Sequence, residues 1–415
     1  MPASRVINFG PGPSALPQSV LEKATQGLLN FNETGIGIAE ISHRSKEFVA
    51  FLSNIESLIR TQLDVPSTHS ILFTQGGGTG QFSAVVLNLL ARHRLLYPEL
   101  TADERVMDYI LTGSWSEKAF QEAGRLGGAR VNVALDARKY SKDGVSFDNV
   151  PPHGEYAFSP APAFIYYCEN ETVDGVQFSA DPSAQTSFPF ARLPRERSGL
   201  LPLVGDHSSS FMSRPIPHLG EHAVIFAGAQ KNLGPAGLTV LIVRHDCLVD
   251  VDAAAKLGAA PVPLSLSYKT LADSKSLYNT PSMLPIYITG LVLERMQELG
   301  GLTYFEALNK KKAEKVYAAI RSGEERGVFQ GKVQDGSGSW MNVVFNVLGD
   351  GAESRFLTGA EEAGMKGLKG HRSVGGIRVS LYNAITESDT DKLVGYMKNF
   401  VSEAGAQAFG VKFSC

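Results

Sequence analysis

The stretch that decides the fold is AVIFAGAQKNLGPAGLTVLIV, which spans residues 223–243. An apolar run ends at Phe226, a turn rich in glycine, alanine and proline follows, and a second apolar run begins at Leu238. Lys231 therefore lies just beyond a predicted buried strand, in a flexible turn of small residues. Loss of solvent there would lower the pKa of its ammonium group, and the neutral amine could form a Schiff base with an aldehyde. The alternative is a lysine that simply extends from the turn into solvent.

Similar apolar runs alternate with helix-like segments from about residue 20 to residue 250. Near-continuous apolarity is typical of strands in a parallel sheet that helices cover on both faces. We therefore predict an α/β fold with a mostly parallel sheet, and ligands of such sheets bind beyond the carboxyl ends of the strands. The other predicted strands are residues 70–74, 107–112, 163–167 and 200–204.

The pattern changes after residue 283. Residues 284–299 have helical apolar spacing, and residues 310–321 form a charged amphipathic segment. Residues 343–347 and 377–381 are typical of strands in a second, smaller sheet. The predicted division is a large domain (17–283), a smaller C-terminal α+β domain (284–415) and an N-terminal segment (1–16) that packs on the smaller domain.

Four other features at predicted strand ends complement Lys231. A glycine-rich turn at 75–82, which includes Gly78, opens a helix pattern over 82–90, and its backbone N–H groups suit a phosphate. Trp115 could stack on a planar ring, Thr172 offers a hydroxyl, and Asp206 could pair with a protonated ring nitrogen. Taken singly, these features are explained by tight packing, a core tryptophan or an aspartate turn. Taken together, they predict a site for pyridoxal 5′-phosphate.

Further motifs extend over nearly the whole chain. They are NFGPGP at 8–13, ISHRSKEF at 41–48, SLYNTP at 276–281 and GHRSVGGIR at 370–378. With GAQKNLGPAG at 228–237, they make the chain resemble the phosphoserine aminotransferase family, within class V of the fold type I pyridoxal phosphate enzymes. The resemblance implies a large domain with a mostly parallel seven-stranded sheet and a smaller C-terminal α+β domain.

The same resemblance implies roles for individual residues. Lys231 would carry the imine link to the cofactor and move the substrate proton. Asn279 and Thr280 would reach the phosphate of the neighbouring subunit, which implies a homodimer with shared active sites. The other implied cofactor contacts are Gly78, Thr79, Trp115, Thr172, Asp206 and Gln230. The implied substrate contacts are Arg378 for the α-carboxylate and His43, Arg44, His371 and Arg372 for the distal anionic group.

The activity that the resemblance implies is transamination by a ping-pong mechanism. It would interconvert O-phospho-L-serine and 2-oxoglutarate with 3-phosphohydroxypyruvate and L-glutamate, and the reverse direction would serve L-serine biosynthesis. Two alternatives stay open. One is another class V transaminase or lyase that acts on a small amino acid. The other is a catalytically silent anion-binding or scaffold protein on the same fold, which the intact set of Lys231, Asp206 and Trp115 disfavours.

Two features depart from the family pattern. Gly78 and Thr79 stand where many bacterial members carry Ala-Arg, so backbone N–H groups and the Thr79 hydroxyl would hold the phosphate. Residues 95–104 and 180–198 look longer than the corresponding segments of compact bacterial members, which leaves the loop structure there open.

Composition disfavours several other classes of function. The formal net charge of −3 provides no general attraction to nucleic acid or anionic membranes. The three cysteines lack metal-type spacing. The N-terminus lacks the pattern of a secretory signal, and no apolar stretch approaches the roughly 20 residues of a membrane span. We therefore expect a cytoplasmic protein with no metal site, no nucleic-acid partner and no membrane anchor.

Overall fold

The computed structural model describes residues 5–194 and 200–410. Cys415 and residues 195–198 of the longer predicted loop lie outside the described residues. Cys168 and Cys247 are buried free thiols. None of the described helices combines the length and the apolarity that crossing a bilayer requires.

Strands and helices alternate along the first half of the chain, as the apolar pattern predicts. The strands are β1 (Ile7–Asn8), β2 (His69–Thr74), β3 (Val106–Leu111), β4 (Arg130–Asp136), β5 (Phe164–Cys168), β6 (Leu203–Asp206), β7 (His222–Gly228), β8 (Thr239–Arg244), β9 (Phe329–Gly331), β10 (Asn342–Val347), β11 (Met365–Lys366) and β12 (Ile377–Ser380). The helices are α1 (Gln18–Leu29), α2 (Lys46–Leu63), α3 (Gly77–Leu96), α4 (Ser114–Leu126), α5 (Val251–Lys256), α6 (Tyr268–Asp273), α7 (Met283–Glu298), α8 (Gly301–Glu324), α9 (Ala352–Glu362) and α10 (Glu387–Gly410).

Seven strands form the central sheet in the order β2-β8-β7-β6-β5-β3-β4. Strand β8 is antiparallel to both of its neighbours, and the other adjacent pairs are parallel. The predicted α/β fold with a mostly parallel seven-stranded sheet is therefore confirmed. Because β2, β3, β5, β6 and β7 all run in one direction, the residues that follow them meet at one edge of the sheet.

Two predicted boundaries shift. The strand predicted at 200–204 is β6, which starts at Leu203 and follows Pro202, a residue without an N–H to donate. This shift makes Asp206 the last residue of the strand. The glycine-rich turn is shorter than predicted, because α3 begins at Gly77 and Gly76, with φ 98°, serves as its N-cap. Glycine adopts that left-handed conformation without strain.

Three of the five hydrophobic cores in the described residues position the two sheets. The first packs α2 and α7 on one face of the central sheet, and the second packs α3 and α4 on the other face. The third lies under the small antiparallel sheet, whose order is β12-β10-β9, and includes residues of α8, α9 and α10. The parallel sheet is thus covered on both faces, as near-continuous apolar strands require.

The domain boundary predicted after residue 283 stays a prediction. In α7, Ile286 and Leu291 pack in the same core as Ile225 of β7. The first residue of α8 in the core of the small sheet is Ala313. This packing favours a transition within α8. At the other end of the chain, β1 pairs with β11 and Phe9 is buried in the core of the small sheet.

Gly290 tests the packing of α7 on α2. A methyl group at Gly290 would stand 2.4 Å from Phe51 Cζ. Gly290→Ala should lower the free energy of unfolding by about 1–3 kcal/mol, because the ring and the helix must move apart. The matched control is Gly124→Ala on α4, where no described atom lies within 4 Å. That exposed helical alanine should raise the free energy of unfolding by about 0.5–1 kcal/mol. Denaturant unfolding measures both effects. If both variants changed the free energy of unfolding in the same direction, the proposed close packing of α7 on α2 at Gly290 would be contradicted.

Candidate active site

Lys231 lies in the turn between β7 and β8, directly beyond the carboxyl end of β7. Its Nζ donates to Thr172 Oγ1 at 3.2 Å and lies 5.7 Å from the centre of the Trp115 ring. Burial, reinforced by the nearby charge of Arg378, lowers the pKa of Lys231 to about 8. The amine therefore gives up its proton much more readily than an ordinary lysine, as a nucleophilic amine requires.

The N-terminal segment packs directly on this turn. A Cβ on Gly12 would stand 3.0 Å from Lys231 Cδ, and Gly12 has φ 140°, so both space and backbone conformation favour glycine there. The Ser14 N–H donates to Gln230 O at 3.0 Å, and the Ser14 hydroxyl donates to Lys231 O. These contacts fix the backbone of the lysine.

Asp206 is the last residue of β6 and is buried. Its Oδ1 accepts the Ser208 N–H at 2.9 Å, and its Oδ2 accepts the Tyr166 hydroxyl over a long 3.4 Å contact. Burial raises the pKa of Asp206, while the donors of Ser208 and the charge of Lys231 oppose that rise. Oδ2 therefore retains the capacity to accept a strong hydrogen bond from a charged N–H group.

The N-terminus of α3 opens toward the same carboxylate. A Cβ on Gly78 would stand 3.6 Å from Ser208 Oγ and 3.9 Å from Asp206 Oδ2. The first N–H groups of a helix have no carbonyl acceptor within the helix, and together with the helix dipole they attract an anion. Thr79 is exposed in this first turn, and Gln230 is half-buried next to Lys231. The predicted phosphate cradle therefore consists of the first turn of α3.

Trp115 is held at the start of α4 by the loop that follows β5. The Glu171 carboxylate accepts the Trp115 N–H at 2.8 Å and the Ser116 N–H at 2.9 Å. The Trp115 ring is half-buried, and its Nε1 has no partner among the described residues. Burial and the neighbouring Asp174 raise the pKa of Glu171, while the donors of Ser116 and Trp115 oppose that rise. Glu171 was not among the predicted site residues, although it directly precedes Thr172.

Arg378 reaches the site from β12 of the small sheet. It is buried, and one guanidinium nitrogen donates to Thr172 O at 3.1 Å. Its Nε is buried and has no acceptor among the described residues. Burial lowers the pKa of Arg378. A buried guanidinium with unused donors close to a lysine amine is suited to bind a carboxylate through two parallel hydrogen bonds.

A group of cations surrounds His371. Its Nδ1 lies 2.6 Å from Ser373 Oγ. Burial, followed by the charges of Arg378, Lys118 and Arg372, lowers the pKa of His371. A histidine whose protonation is opposed by three neighbouring cations marks a region of positive potential, which attracts an anionic group.

Lys118 belongs to this group but was not predicted. Its Nζ lies 4.3 Å from the centre of the Trp115 ring. Lys118 stands three residues after Trp115 on α4, and residues at that spacing share one face of a helix. The spacing was therefore the signal that could have found it.

Four predicted site residues stand apart from this assembly. His43 and Arg44 lie just before α2, and within the described parts of the chain no hydrogen bond or ion pair joins their side chains to the group around Lys231. Asn279 and Thr280 are exposed, and the Thr280 carbonyl accepts the side chain of Gln75 of the same chain at 3.3 Å. Their implied roles stay predictions.

Hydrogen bonds between buried asparagines join the loops of the central sheet to the small sheet near the lysine. The Asn383 N–H donates to Asn232 Oδ1 at 2.7 Å, and Asn170 Nδ2 donates to Asn342 Oδ1 at 2.9 Å. Asn342 Nδ2 in turn donates to the Tyr382 hydroxyl at 3.1 Å. Sequence reasoning missed these residues, because each is an ordinary polar residue until the fold brings it to its partner.

Comparisons with known proteins agree with this geometry. The family model described as aminotransferase class-V matches residues 6–393. A phosphoserine aminotransferase of Pseudomonas paraeruginosa is 40% identical over 403 residues, covering 97% of this chain and 100% of that protein. The solved phosphoserine aminotransferase of Bacillus circulans subsp. alkalophilus is 34% identical with a TM-score of 0.83, covering 97% of this chain and 100% of its own. The PLP-bound phosphoserine aminotransferase of Trichomonas vaginalis is 33% identical with a TM-score of 0.79, covering 95% of this chain and 100% of its own.

The lowered pKa of Lys231 makes stability depend on pH. Its pKa is about 8 in the folded chain against an ordinary value of 10.5, so the unfolded chain binds more protons between these two values. Relative to Lys231→Met, the wild-type protein should therefore gain about 1–3 kcal/mol of unfolding free energy as pH rises through that window. Denaturant unfolding without added cofactor, at several pH values, measures the difference. A difference that is constant with pH would contradict a desolvated amine.

Proposed function

We propose, from the premise that this chain belongs to the class-V aminotransferase family, that it is a pyridoxal phosphate-dependent phosphoserine aminotransferase. The reaction interconverts O-phospho-L-serine and 2-oxoglutarate with 3-phosphohydroxypyruvate and L-glutamate. The observation that carries the proposal is the convergence of Lys231, Thr172, Asp206 and Arg378 at one edge of the sheet, with the lysine amine hydrogen-bonded to Thr172. The match to phosphoserine aminotransferases, which extends over nearly the full length of both chains, supports it.

The side chains present fit pyridoxal phosphate. Asp206 offers a buried acceptor for a ring N–H, Trp115 offers a ring face near Lys231, and the first turn of α3 offers N–H groups to a phosphate. When bound, the cofactor supplies an aldehyde that reacts with an amine and a conjugated ring that stores the electron pair released at the substrate Cα. Gly78, Thr79 and Gln230 would contact the phosphate.

Lys231 both holds the cofactor and handles the proton. With a pKa of about 8, roughly one tenth of Nζ is neutral at pH 7, far more than for an ordinary lysine, so it can take the proton from the Cα of a bound amino acid. The Thr172 hydroxyl accepts a hydrogen bond from the amine and so helps to fix the position of Nζ. Asp206 would pair with the ring nitrogen; burial raises its pKa, and the donors of Ser208 and the charge of Lys231 oppose that rise.

Substrate choice rests on the cations. Arg378 has an unused Nε donor, which suits the α-carboxylate that glutamate and phosphoserine share. His371 and Arg372 would bind the distal phosphate or carboxylate, and their positive surroundings support this role. His43 and Arg44 would complete that subsite. Both substrates then use one α-carboxylate site and one distal anion site in turn, as a ping-pong reaction requires.

The protein would act as a homodimer with shared active sites. Asn279 and Thr280 are exposed beside Gln75, next to the glycine-rich turn, and in the dimer they would reach the cofactor phosphate of the other subunit. Exposed apolar side chains, including Leu29 at 80% and Tyr278 at 44% exposure, supply surface for such an interface. We place the protein in the cytoplasm, which the free thiols of Cys168 and Cys247 support.

The central experiment measures glutamate formation from 2-oxoglutarate with phosphoserine as the amino donor. Lys231→Ala should lower kcat by at least about 1,000-fold, because the amine that holds the cofactor and moves the proton is lost. Borohydride reduction of the wild-type holoenzyme should fix the cofactor covalently to Lys231, which peptide mass mapping identifies. Modification of a different lysine would contradict the assignment. Faster turnover of L-serine or L-alanine than of phosphoserine would favour another class V aminotransferase instead.

Mixed dimers test the shared site. Lys231→Ala and the double variant Asn279→Ala/Thr280→Ala should each be inactive alone. Randomly reassembled mixtures should regain up to about one quarter of the wild-type rate, because half of the dimers then contain one intact site. A mixture of Lys231→Ala with Asp206→Asn is the control and should stay inactive, since both residues belong to one chain's site. Recovery in both mixtures, or in neither, would contradict the shared arrangement.

A further inference from the structure

The loop after β5 reaches the beginning of α4 with two buried carboxylates. Asp174 accepts the Ser114 N–H at 2.7 Å and the Ser114 hydroxyl at 3.1 Å. Glu171 accepts the next two N–H groups of the helix, at 2.8 and 2.9 Å. The N-cap residue of α4 is Gly113, which has no side chain to cap the helix. The loop therefore supplies the cap that the helix lacks.

The space for the Glu171 carboxylate exists because residue 113 is glycine. A Cβ on Gly113 would stand 2.3 Å from Glu171 Cδ and 2.3 Å from its Cγ. The φ of Gly113 is −176°, an extended conformation that any residue adopts, so space and not backbone strain selects glycine. Gly113 and Glu171 are thus matched to each other.

The two residues next to this contact are proposed to touch the cofactor. Glu171 binds the N–H of Trp115 and is followed directly by Thr172, whose hydroxyl accepts from Lys231 Nζ. The Thr172 carbonyl also accepts from Arg378. A shift of the Glu171 carboxylate would therefore move the Trp115 ring relative to the lysine amine.

We propose that Glu171 is a positioning residue that sets the Trp115 ring against Lys231 and Thr172 by capping α4 from the loop after β5. The inference rests on the proposed function, in which Trp115 stacks on the cofactor. It assigns Glu171 no contact with the substrate and no proton transfer. Asp174 caps the neighbouring N–H of Ser114 and, within the described parts of the chain, has no hydrogen bond to Trp115.

Glu171→Gln is the direct test in the holoenzyme. It keeps the size of the side chain but turns one acceptor into a donor that faces a backbone N–H. The rate of cofactor dissociation should rise about tenfold, because one of the two N–H groups, that of Trp115 or that of Ser116, is left unpaired at the start of the helix that carries the ring. The circular dichroism of the bound cofactor should fall, since it depends on fixed asymmetric surroundings. In a Trp340→Phe background, the emission of Trp115, then the sole tryptophan, should be quenched less by the cofactor.

Two further variants separate positioning from general destabilisation. Gly113→Ala should reproduce the effects of Glu171→Gln, because its methyl group displaces the same carboxylate, and the double variant should be no worse than either single one. Asp174→Asn is the matched control and should change the dissociation rate less than about twofold, whatever it does to the unfolding midpoint. Additive effects of Gly113→Ala and Glu171→Gln, or an equal effect of Asp174→Asn, would overturn the proposal.

The result also separates this inference from the proposed function. A wild-type protein that binds no pyridoxal phosphate would overturn both. A Glu171→Gln holoenzyme that retains the cofactor, its dichroism and the quenching of Trp115 at wild-type levels would overturn the positioning role alone and leave the aminotransferase assignment standing.

Discussion

The structure depends on keeping one lysine amine out of water beside a buried carboxylate. Lys231 follows β7 and Asp206 ends the adjacent β6, so the two groups share one edge of the sheet. Burial lowers the pKa of the lysine and raises that of the aspartate, while their mutual attraction opposes both shifts. Buried charges are stable only where polar neighbours are fixed. Thr172 and Ser208 provide those neighbours.

These polar neighbours stay in place only because several parts of the chain meet at this edge of the central sheet. Trp115, Thr172 and Lys231 follow strands of the central sheet that run in one direction, and Arg378 lies on the small sheet. Buried hydrogen bonds from Asn170 to Asn342 and from Asn383 to Asn232 hold the loops of the central sheet against the small sheet. Arg378 of the small sheet and Lys231 of the central sheet, the proposed partners of the substrate's carboxylate and of its proton, thus come from different sheets. Their relative position is set by the contacts between the two sheets and the loops that these contacts hold.

The sequence predicted the parts of the site that depend on local order. Apolar runs located the strands, and the residues directly after them included Trp115, Thr172, Asp206 and Lys231. The start of α3 was misjudged, because glycine is compatible with both a turn and a helix. Glu171, Lys118 and Ser208 were missed as site residues, because a carboxylate, an amine or a hydroxyl carries no sign of which distant backbone or ring it will meet. The domain boundary was placed by a change of pattern, whereas the packing of α7 depends on contacts distant in sequence.

By itself, the sequence determined the α/β class, the order of the elements and the presence of a strand-end lysine with a glycine-rich turn, an aspartate and an aromatic ring. These follow from periodicity and turn chemistry, which act over a few residues. Tertiary structure alone decided that the lysine amine is desolvated, that Arg378 approaches it and that Glu171 caps the helix bearing Trp115. Desolvation and charge proximity depend on every element around a group, so they exist only after the strands align and the small sheet docks.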